Sequence, residues 1–456
     1  MPSSDSSALI VARFLRSNQY QESYEAFVGE AGLADDAGTV GKGDLTLETL
    51  LEEKKFFDLS VHFEKLGTDD SDSRWSLPAP SQSRSIDSLP SATNVLSARV
   101  DTLLYDDDTL RAVILSTSAD RRLNIVDVFT NDLRHSFAHL SNSPILYCVS
   151  YHHRFVLCTT MAGQLIMFDT SGKVMHERKD HSKYIVTVIC HETADGDDLI
   201  ATAGWDNKIT LYRPTGLPRP SIGEPMSSIL LPTKPEAIAF LRHPASQASI
   251  LLVSRTDSNH IYYYTTDASP RLLGKQNLAP QSNAWVAFTP SSFAVCPTDQ
   301  SLLAVATSSL PHMKVLVVRL LFPPVEAQST VPAASTPRSP VGDGPETQAS
   351  QARSALALAD REHSAIQIHA NTMAPQTPYS TPVVVWRPDG TGLWVNGDDG
   401  VIRGIETNTG KVVCALRGHE AGSKVRCLWA GKVGGEEMLI SGGFDHKLLL
   451  WRTSSG

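Results

Sequence analysis

A unit of two short strands joined by a tight turn recurs along most of the chain. Its five clearest copies read STSADRRLNIV, CTTMAGQLIMF, ATAGWDNKITLY, VNGDDGVIRGI and SGGFDHKLLLW. The turn positions of these copies are Asp120, Ala162, Asp206, Asp399 and Asp445. The first three therefore lie 42 and 44 residues apart, and the last two lie 46 apart. A fixed period of this length indicates a repeat architecture, in which each unit packs against its neighbours.

The chain between these copies also consists of strands. Short β-branched or alternating apolar runs are each closed by Gly, Asp, Asn or Pro, and no long helix interrupts them. Two more divergent copies, one near Asp257 and one over 304–318, occupy the gap before Asp399. Roughly 40 to 45 residues make one four-stranded propeller blade. We therefore predict an all-β fold over 85–453, a β-propeller of about seven blades, preceded by a short α-helical N-terminal region.

The last repeat carries polar residues at characteristic positions, in the runs RGHE, VRCLW and LISGGFDHKLLLWR. It resembles the WD-repeat family, in which a His, a Ser or Thr, an Asp and a Trp hydrogen-bond in series and anchor the blade. The resemblance gives these roles to His419, Ser441, Asp445 and Trp451. The repeat ending in ATAGWDNKITLY resembles it too, with His181, Thr202, Asp206 and Tyr212. A buried Asp needs such donors because burial removes its hydration.

The other repeats depart from this pattern. Ala162 takes the Asp position in one of them, and Val126 and Ile405 stand where the Trp is expected in two others. The last repeat also ends after its third strand. We expect an earlier segment near Ser85-Ile86 to supply the fourth strand and close the ring, because an unpaired edge strand invites association.

Near the N-terminus, apolar residues recur every three to five positions between residues 8 and 30, which predicts a helix pair with a break at Asn18-Gln19. Segment 6–35 is similar to the LisH motif, although Gln19 stands where that motif usually has Gly. The resemblance assigns dimerisation to Leu9, Ile10, Phe14, Leu15, Tyr20 and Phe27. So short a hairpin cannot bury its own apolar face, so a homodimer is implied. The alternative is a helix docked on the propeller.

Three further segments differ in composition from the repeats. Residues 44–67 have an amphipathic pattern that predicts a helix. Residues 68–84 are rich in Ser, Asp and Pro and are predicted to form a flexible linker. Residues 323–360 have a similar composition and are predicted to form a disordered insertion within the propeller. Candidate sites for proline-directed phosphorylation lie in or after this insertion, at Thr336, Ser339, Thr377 and Thr381. An unmodified segment is the alternative.

Composition excludes several classes of protein. With 40 Lys and Arg against 49 Asp and Glu, the net charge of −9 gives no electrostatic reason for direct nucleic-acid binding. The six cysteines form no C-x-x-C pair, and no apolar run reaches the ~20 residues of a membrane span. These features favour a nuclear or cytoplasmic protein. No metal-ligand spacing, phosphate-binding loop or nucleophile motif is present, so neither a cofactor, a metal nor an enzymatic activity is expected.

The two resemblances together imply a non-enzymatic scaffold or adaptor that binds other proteins through its propeller and assembles a multiprotein complex. Two alternatives stay open. One is a substrate receptor of a ubiquitin ligase, for which the expected W-D-x-R signature is not matched by Trp451-Arg452 or Phe168-Asp169. The other is a subunit of a chromatin or RNA-processing complex, since an acidic protein suits basic tails.

Overall fold

The computed structural model describes residues 7–41, 46–48, 75–105, 108–192, 198–215, 220–282, 286–324 and 348–453. The chain divides into two compact units, Met1–Asp72 and Ser73–Gly456. Most of the predicted helical segment 44–67 lies outside the described residues, as do Thr336 and Ser339.

The first unit contains a hairpin of two helices, α1 (Ser7–Ser17) and α2 (Gln21–Glu30). Gln19 between them has a φ of 61°, the left-handed conformation that favours glycine. The predicted break is therefore present, and a Gly at this position would relieve its strain. Ala12, Tyr24 and Val28 form the buried core of the hairpin. The Tyr24 hydroxyl donates to the carbonyl oxygen of Asp35 at 2.9 Å, which ties the chain after α2 to the hairpin.

In its described residues, the second unit is built from strands and one helix, α3 (Gln348–Ala365). In chain order the strands are β1 (Pro80–Ser85), β2 (Val95–Leu104), β3 (Leu110–Ser118), β4 (Leu123–Asp127), β5 (Leu133–Phe137), β6 (Ile145–Tyr151), β7 (Phe155–Thr160), β8 (Leu165–Asp169), β9 (Val174–Arg178), β10 (Ile185–His191), β11 (Leu199–Gly204), β12 (Lys208–Tyr212), β13 (Pro225–Leu230), β14 (Pro235–Arg242), β15 (Ser249–Arg255), β16 (His260–Thr265), β17 (Leu272–Asn277), β18 (Thr289–Val295), β19 (Leu302–Ser308), β20 (His312–Arg319), β21 (Ile366–Pro375), β22 (Val384–Trp386), β23 (Gly392–Val395), β24 (Val401–Glu406), β25 (Val412–Arg417), β26 (Val425–Val433), β27 (Glu436–Gly443) and β28 (Leu448–Thr453).

These strands form seven antiparallel sheets of four strands each, which confirms the predicted seven-bladed β-propeller. Blades 1 to 6 take four consecutive strands each, from β2–β5 to β22–β25. Each pair of neighbouring blades shares its own buried apolar cluster, as between Leu439 of blade 7 and Trp394 of blade 6. The core is thus a ring of interfaces between blades, and every blade is stabilised mainly by its two neighbours.

Blade 7 joins the two ends of the propeller. Its strands β26, β27 and β28 are completed by β1, which pairs antiparallel with β28 from Ser85–Leu449 to Pro80–Thr453. The prediction that an early segment closes the ring is confirmed. The strand begins at Pro80 rather than at Ser85, however, and Trp75 and Ser76 before it also contact the propeller. This part of the predicted flexible linker 68–84 is ordered because Trp75 buries apolar surface against Trp394.

The insertion in blade 5 separates β20 from β21, the third and fourth strands of that blade. The predicted disordered segment 323–360 differs from the structure at both ends. The carbonyl oxygen of Pro323 is 3.0 Å from His243 Nε2, and α3 occupies the C-terminal part of the segment. The run SALALADREH explains this helix, because Ala, Leu, Arg and Glu have high helix propensity. Residues 325–347 lie outside the described part of the chain.

The turns between the second and third strands of the blades share one backbone conformation. In five blades the residue after the repeat position is left-handed, with φ between 63° and 79° at Arg121, Gly163, Asn207, Gly400 and His446. The sequence repeat therefore marks the same turn in each of these blades.

None of the described helices is long and apolar enough to cross a membrane.

Candidate functional site

The best-formed polar network lies in blade 7 and links the four residues assigned from sequence. The indole N–H of Trp451 donates to Ser441 Oγ at 2.8 Å, and Ser441 Oγ lies 2.8 Å from His419 Nε2. On the other side of the ring, His419 Nδ1 is 2.9 Å from a carboxylate oxygen of Asp445. The His419 and Asp445 side chains are 1% and 0% exposed, so this chain of contacts is buried.

The direction of each hydrogen bond follows from the carboxylate, which can only accept. Because Asp445 is ionised, His419 Nδ1 is the protonated nitrogen that donates to it; Nε2 of the neutral ring then accepts from the Ser441 hydroxyl, and Ser441 Oγ accepts from Trp451. Burial lowers the pKa of His419, although Asp445 opposes this effect. Burial would raise the pKa of Asp445, but the Glu420 N–H and His419 hold it below its ordinary value. A neutral imidazole therefore bridges a hydroxyl and a carboxylate.

Blade 3 contains a related network with a different outer end. His181 Nδ1 lies 2.9 Å from Asp206, and His181 Nε2 lies 2.9 Å from the Thr202 hydroxyl. The Thr210 hydroxyl also reaches His181 Nε2, at 3.2 Å. The Tyr212 hydroxyl donates to Asp180 Oδ2 at 3.1 Å, an acceptor that the resemblance does not assign. The Tyr212 phenol thus binds a second carboxylate, whereas the Trp451 indole of blade 7 binds the Ser of its own network.

In blades 1 and 6, other side chains take the place of the His in binding the turn aspartate. In blade 1, Asp120 accepts hydrogen bonds from the hydroxyls of Ser91 and Ser118, while Ser116 Oγ has no partner among the described residues. In blade 6, Asp399 pairs with Arg403 at 2.6 Å. These aspartates are 22% and 30% exposed, so their turns are more hydrated than those of blades 3 and 7.

The networks of blades 3 and 7 lie beside exposed aromatic side chains at one end of the propeller. We call this end the entry face; it carries the loops that enter the blades and the turns between second and third strands. Trp205 and Phe444 directly precede the anchored aspartates and are 40% and 39% exposed. Their backbone N–H groups donate at 2.9 Å to the carbonyl oxygens of Tyr184 and Lys424, so they occupy equivalent positions. Sequence reasoning missed both, although the dipeptides Trp-Asp and Phe-Asp were a visible signal.

Trp205 belongs to a small cluster on the entry face. Its ring stacks on that of Tyr184, with centroids 5.4 Å apart and 28° between the planes. The ammonium group of Lys234, from the loop that enters blade 4, lies 4.6 Å from the Trp205 ring centroid. Such a contact between a cation and an aromatic face is attractive. Loops of two blades therefore hold Trp205 in place while leaving it accessible.

The residues assigned to dimerisation differ in burial within the single chain. Leu15 and Phe27 pack against the hairpin core. Leu9, Ile10 and Phe14 are half-buried, and Tyr20 is 54% exposed. Phe14 and Tyr20 contact each other, with ring centroids 6.3 Å apart. An apolar surface of the hairpin thus stays accessible.

The two described candidates for phosphorylation lie in the loop that enters blade 6. Thr377 and Thr381 are both exposed. The Thr377 hydroxyl accepts a hydrogen bond from Lys424 Nζ at 2.9 Å, and the backbone carbonyl of Thr381 accepts one from Asn396 at 2.9 Å.

Among the described residues, no group of three or more His, Cys, Asp or Glu side chains could hold a metal ion.

The comparisons with known proteins agree with the fold. Residues 61–452 match the family model described as UCP007778, beta-propeller domain. A search of curated proteins finds no match. Because the family model covers the ring from before β1 to Arg452 in β28, the chain belongs to the UCP007778 beta-propeller domain family.

Proposed function

We propose that this protein is a non-enzymatic scaffold that binds other proteins through the entry face of its propeller. The observation that carries the proposal is the pair of equivalent, half-exposed aromatic residues Trp205 and Phe444 next to buried, anchored aspartates. Exposed aromatic side chains on a rigid support are typical of protein-binding surfaces, because they bury much area at a small entropic cost. We assign the repeats to the WD type on the networks of His181 and His419.

The second part of the proposal is that two copies associate through the N-terminal hairpin, as a LisH motif would. It is supported by the accessible apolar side chains of Ile10, Phe14 and Tyr20. Two linked propellers would present two entry faces, and a partner that engages both would bind with increased avidity. We place this scaffold in the nucleus or the cytoplasm because the six cysteines are all unpaired thiols.

Site-specific photo-crosslinking tests the entry face directly. A photoreactive residue would replace Lys183, which is exposed in the loop entering blade 3, or the matched Lys173, which is exposed at the opposite end of blade 2. We expect partner proteins to be captured in cells from position 183 and not from position 173. Equal capture from both positions, or none from position 183, would contradict the proposal.

A further inference from the structure

Part of the entry face combines exposed aromatic rings with lysines. We call it the basic-aromatic patch and define it by Lys183, Tyr184, Trp205 and Lys234. Tyr184 and Trp205 are 37% and 40% exposed. Lys183 precedes Tyr184 in the same loop and is exposed, and Lys234 reaches the Trp205 ring from blade 4.

Most of the carboxylates around this patch already accept hydrogen bonds from other groups. Asp206 accepts hydrogen bonds from His181 and from the Ser182 N–H. Asp180 accepts two hydrogen bonds from Arg178. Burial raises the pKa of Glu236 to about 7, and the charge of Lys234 opposes this effect. Asp257, in the next turn, is exposed.

The lysines of the patch, in contrast, keep their charges available. Neither Lys183 nor Lys234 forms an ion pair with any described residue. The Trp205 ring attracts the charge of the Lys234 ammonium group but does not accept a directed hydrogen bond from each of its N–H groups. These N–H groups can therefore still bind an anion. The patch therefore offers two lysine charges that no described carboxylate pairs with, although the whole chain carries a charge of −9.

We infer that the basic-aromatic patch binds an acidic segment of a partner protein that carries an aromatic or large aliphatic side chain beside its carboxylates. The carboxylates would pair with Lys183 and Lys234, and the apolar side chain would cover the exposed parts of Tyr184 and Trp205. This inference rests on the proposed function and names the class of partner for that face. It differs from the basic tails that the overall acidity of the chain suggests.

A single-stranded nucleic acid also combines negative charge with stacking groups. Such binding uses a basic groove that follows several phosphates. The patch offers two lysines without an ion pair, on a protein whose net charge would repel a longer polyanion. Two lysines without an ion pair suit a short acidic protein segment better than a longer polyanion.

Binding of labelled peptides to the full chain, followed by fluorescence anisotropy, tests the inference. The probes are the peptide Glu-Glu-Phe-Glu-Glu, its charge-inverted form Lys-Lys-Phe-Lys-Lys and a ten-nucleotide oligouridylate. We expect only the acidic peptide to bind well, with an affinity that falls as salt is added. Trp205→Ala should weaken its binding about tenfold, and Lys234→Gln about threefold.

Phe129→Ala is the matched control, because Phe129 is an exposed aromatic residue in the turn between β4 and β5, at the end of the propeller opposite the entry face. It should leave the affinity for the acidic peptide unchanged. All three variants alter surface side chains, and thermal unfolding checks that each is folded. If Trp205→Ala is unfolded, Lys234→Gln together with Lys183→Gln decides.

Several results would overturn the inference. They are equal or tighter binding of the basic peptide or the oligonucleotide, an acidic peptide that does not bind, and an affinity that Phe129→Ala reduces as much as Trp205→Ala. If partners are still captured by crosslinking from position 183 in any of these cases, the proposed function stands and only the partner class is wrong. If none is captured there, the proposed function fails separately.

Discussion

At the scale of single residues, the aspartates of the blade turns differ in burial and in the hydrogen-bond donors that they satisfy. The Asp445 side chain is fully buried and accepts hydrogen bonds from His419 and from the backbone N–H groups of Glu420 and Lys447. Asp120 accepts from two serine hydroxyls at a position that is 22% exposed. Water can replace the carboxylate of Asp120 but not that of Asp445.

We therefore expect unequal losses of stability when these carboxylates are removed. Asp445→Ala leaves buried donors without a partner and should lower the free energy of unfolding by about 2 to 3 kcal/mol. Asp120→Ala should lower it by about 1 kcal/mol or less, because its donors become hydrated. Urea unfolding measures both values. Equal losses would show that the His419 network contributes no more than an exposed turn.

A second prediction at this scale concerns pH. Burial, with smaller effects of Lys275 and Arg255, lowers the pKa of His260 from its ordinary value of 6.5 to about 4. The unfolded chain thus binds a proton between these values that the folded chain does not, so stability falls as the pH decreases from about 6.5 to 4. His181 and His419, whose pKa values burial also lowers, act in the same direction.

The measurement is the urea midpoint at a series of pH values between 7.5 and 4.5. His260→Gln should flatten the decline, because it removes one group that gains a proton on unfolding. The matched control is His446→Gln, since His446 is exposed. A decline that His260→Gln leaves unchanged would contradict the assigned role of burial.

At the scale of elements, ring closure depends on strand β1 and on the short segment before it. The Trp75 ring packs edge-on against Trp394 with centroids 5.0 Å apart, and the Arg387 guanidinium lies 4.5 Å from the Trp75 ring centroid. The fully buried Arg387 also pairs with Glu437 of blade 7 at 2.7 Å. Gly392 leaves room for the indole, since a Cβ there would overlap Trp75.

Two N-terminal deletions separate these contributions. Removing residues 1–72 keeps Trp75 and β1, so the thermal unfolding of the propeller should be unchanged. Removing residues 1–85 exposes the edge of β28 and also deletes Trp75, so we expect a lower melting temperature and aggregation. Circular dichroism and light scattering measure the two effects. An unchanged melting temperature for the shorter chain would show that β1 does not close the ring.

At the scale of the whole molecule, the proposed assembly predicts a change in mass. Deleting residues 1–35 should convert a dimer into a soluble monomer, because the accessible apolar face of the hairpin is removed. Ile10→Asp in the full chain should do the same, since a charge on that face opposes burial. Ser17→Asp, at an exposed position of α1, is the matched control. Light scattering gives the masses, and a dimer that survives the deletion would exclude the hairpin as the interface.

Much of this fold could be predicted because a propeller repeats one local unit. The period of the turns indicated the blades, and the missing last strand indicated that an early segment closes the ring. The short helix pair was also predictable, because Gln19 interrupts an amphipathic pattern. The order of residues 75–79 was not, since it depends on Trp394 and Arg387, more than 300 positions later in the chain.

The same distinction applies to the candidate site. The sequence by itself determined which residues have the right chemistry for the networks of blades 3 and 7, because those residues recur at fixed positions within one repeat. Only the tertiary structure decided that Tyr212 binds Asp180, and that Tyr184, Trp205 and Lys234 form one surface. The physical reason is that contacts between loops depend on how neighbouring blades are placed around the ring, which no local pattern of hydrophobic and polar residues records.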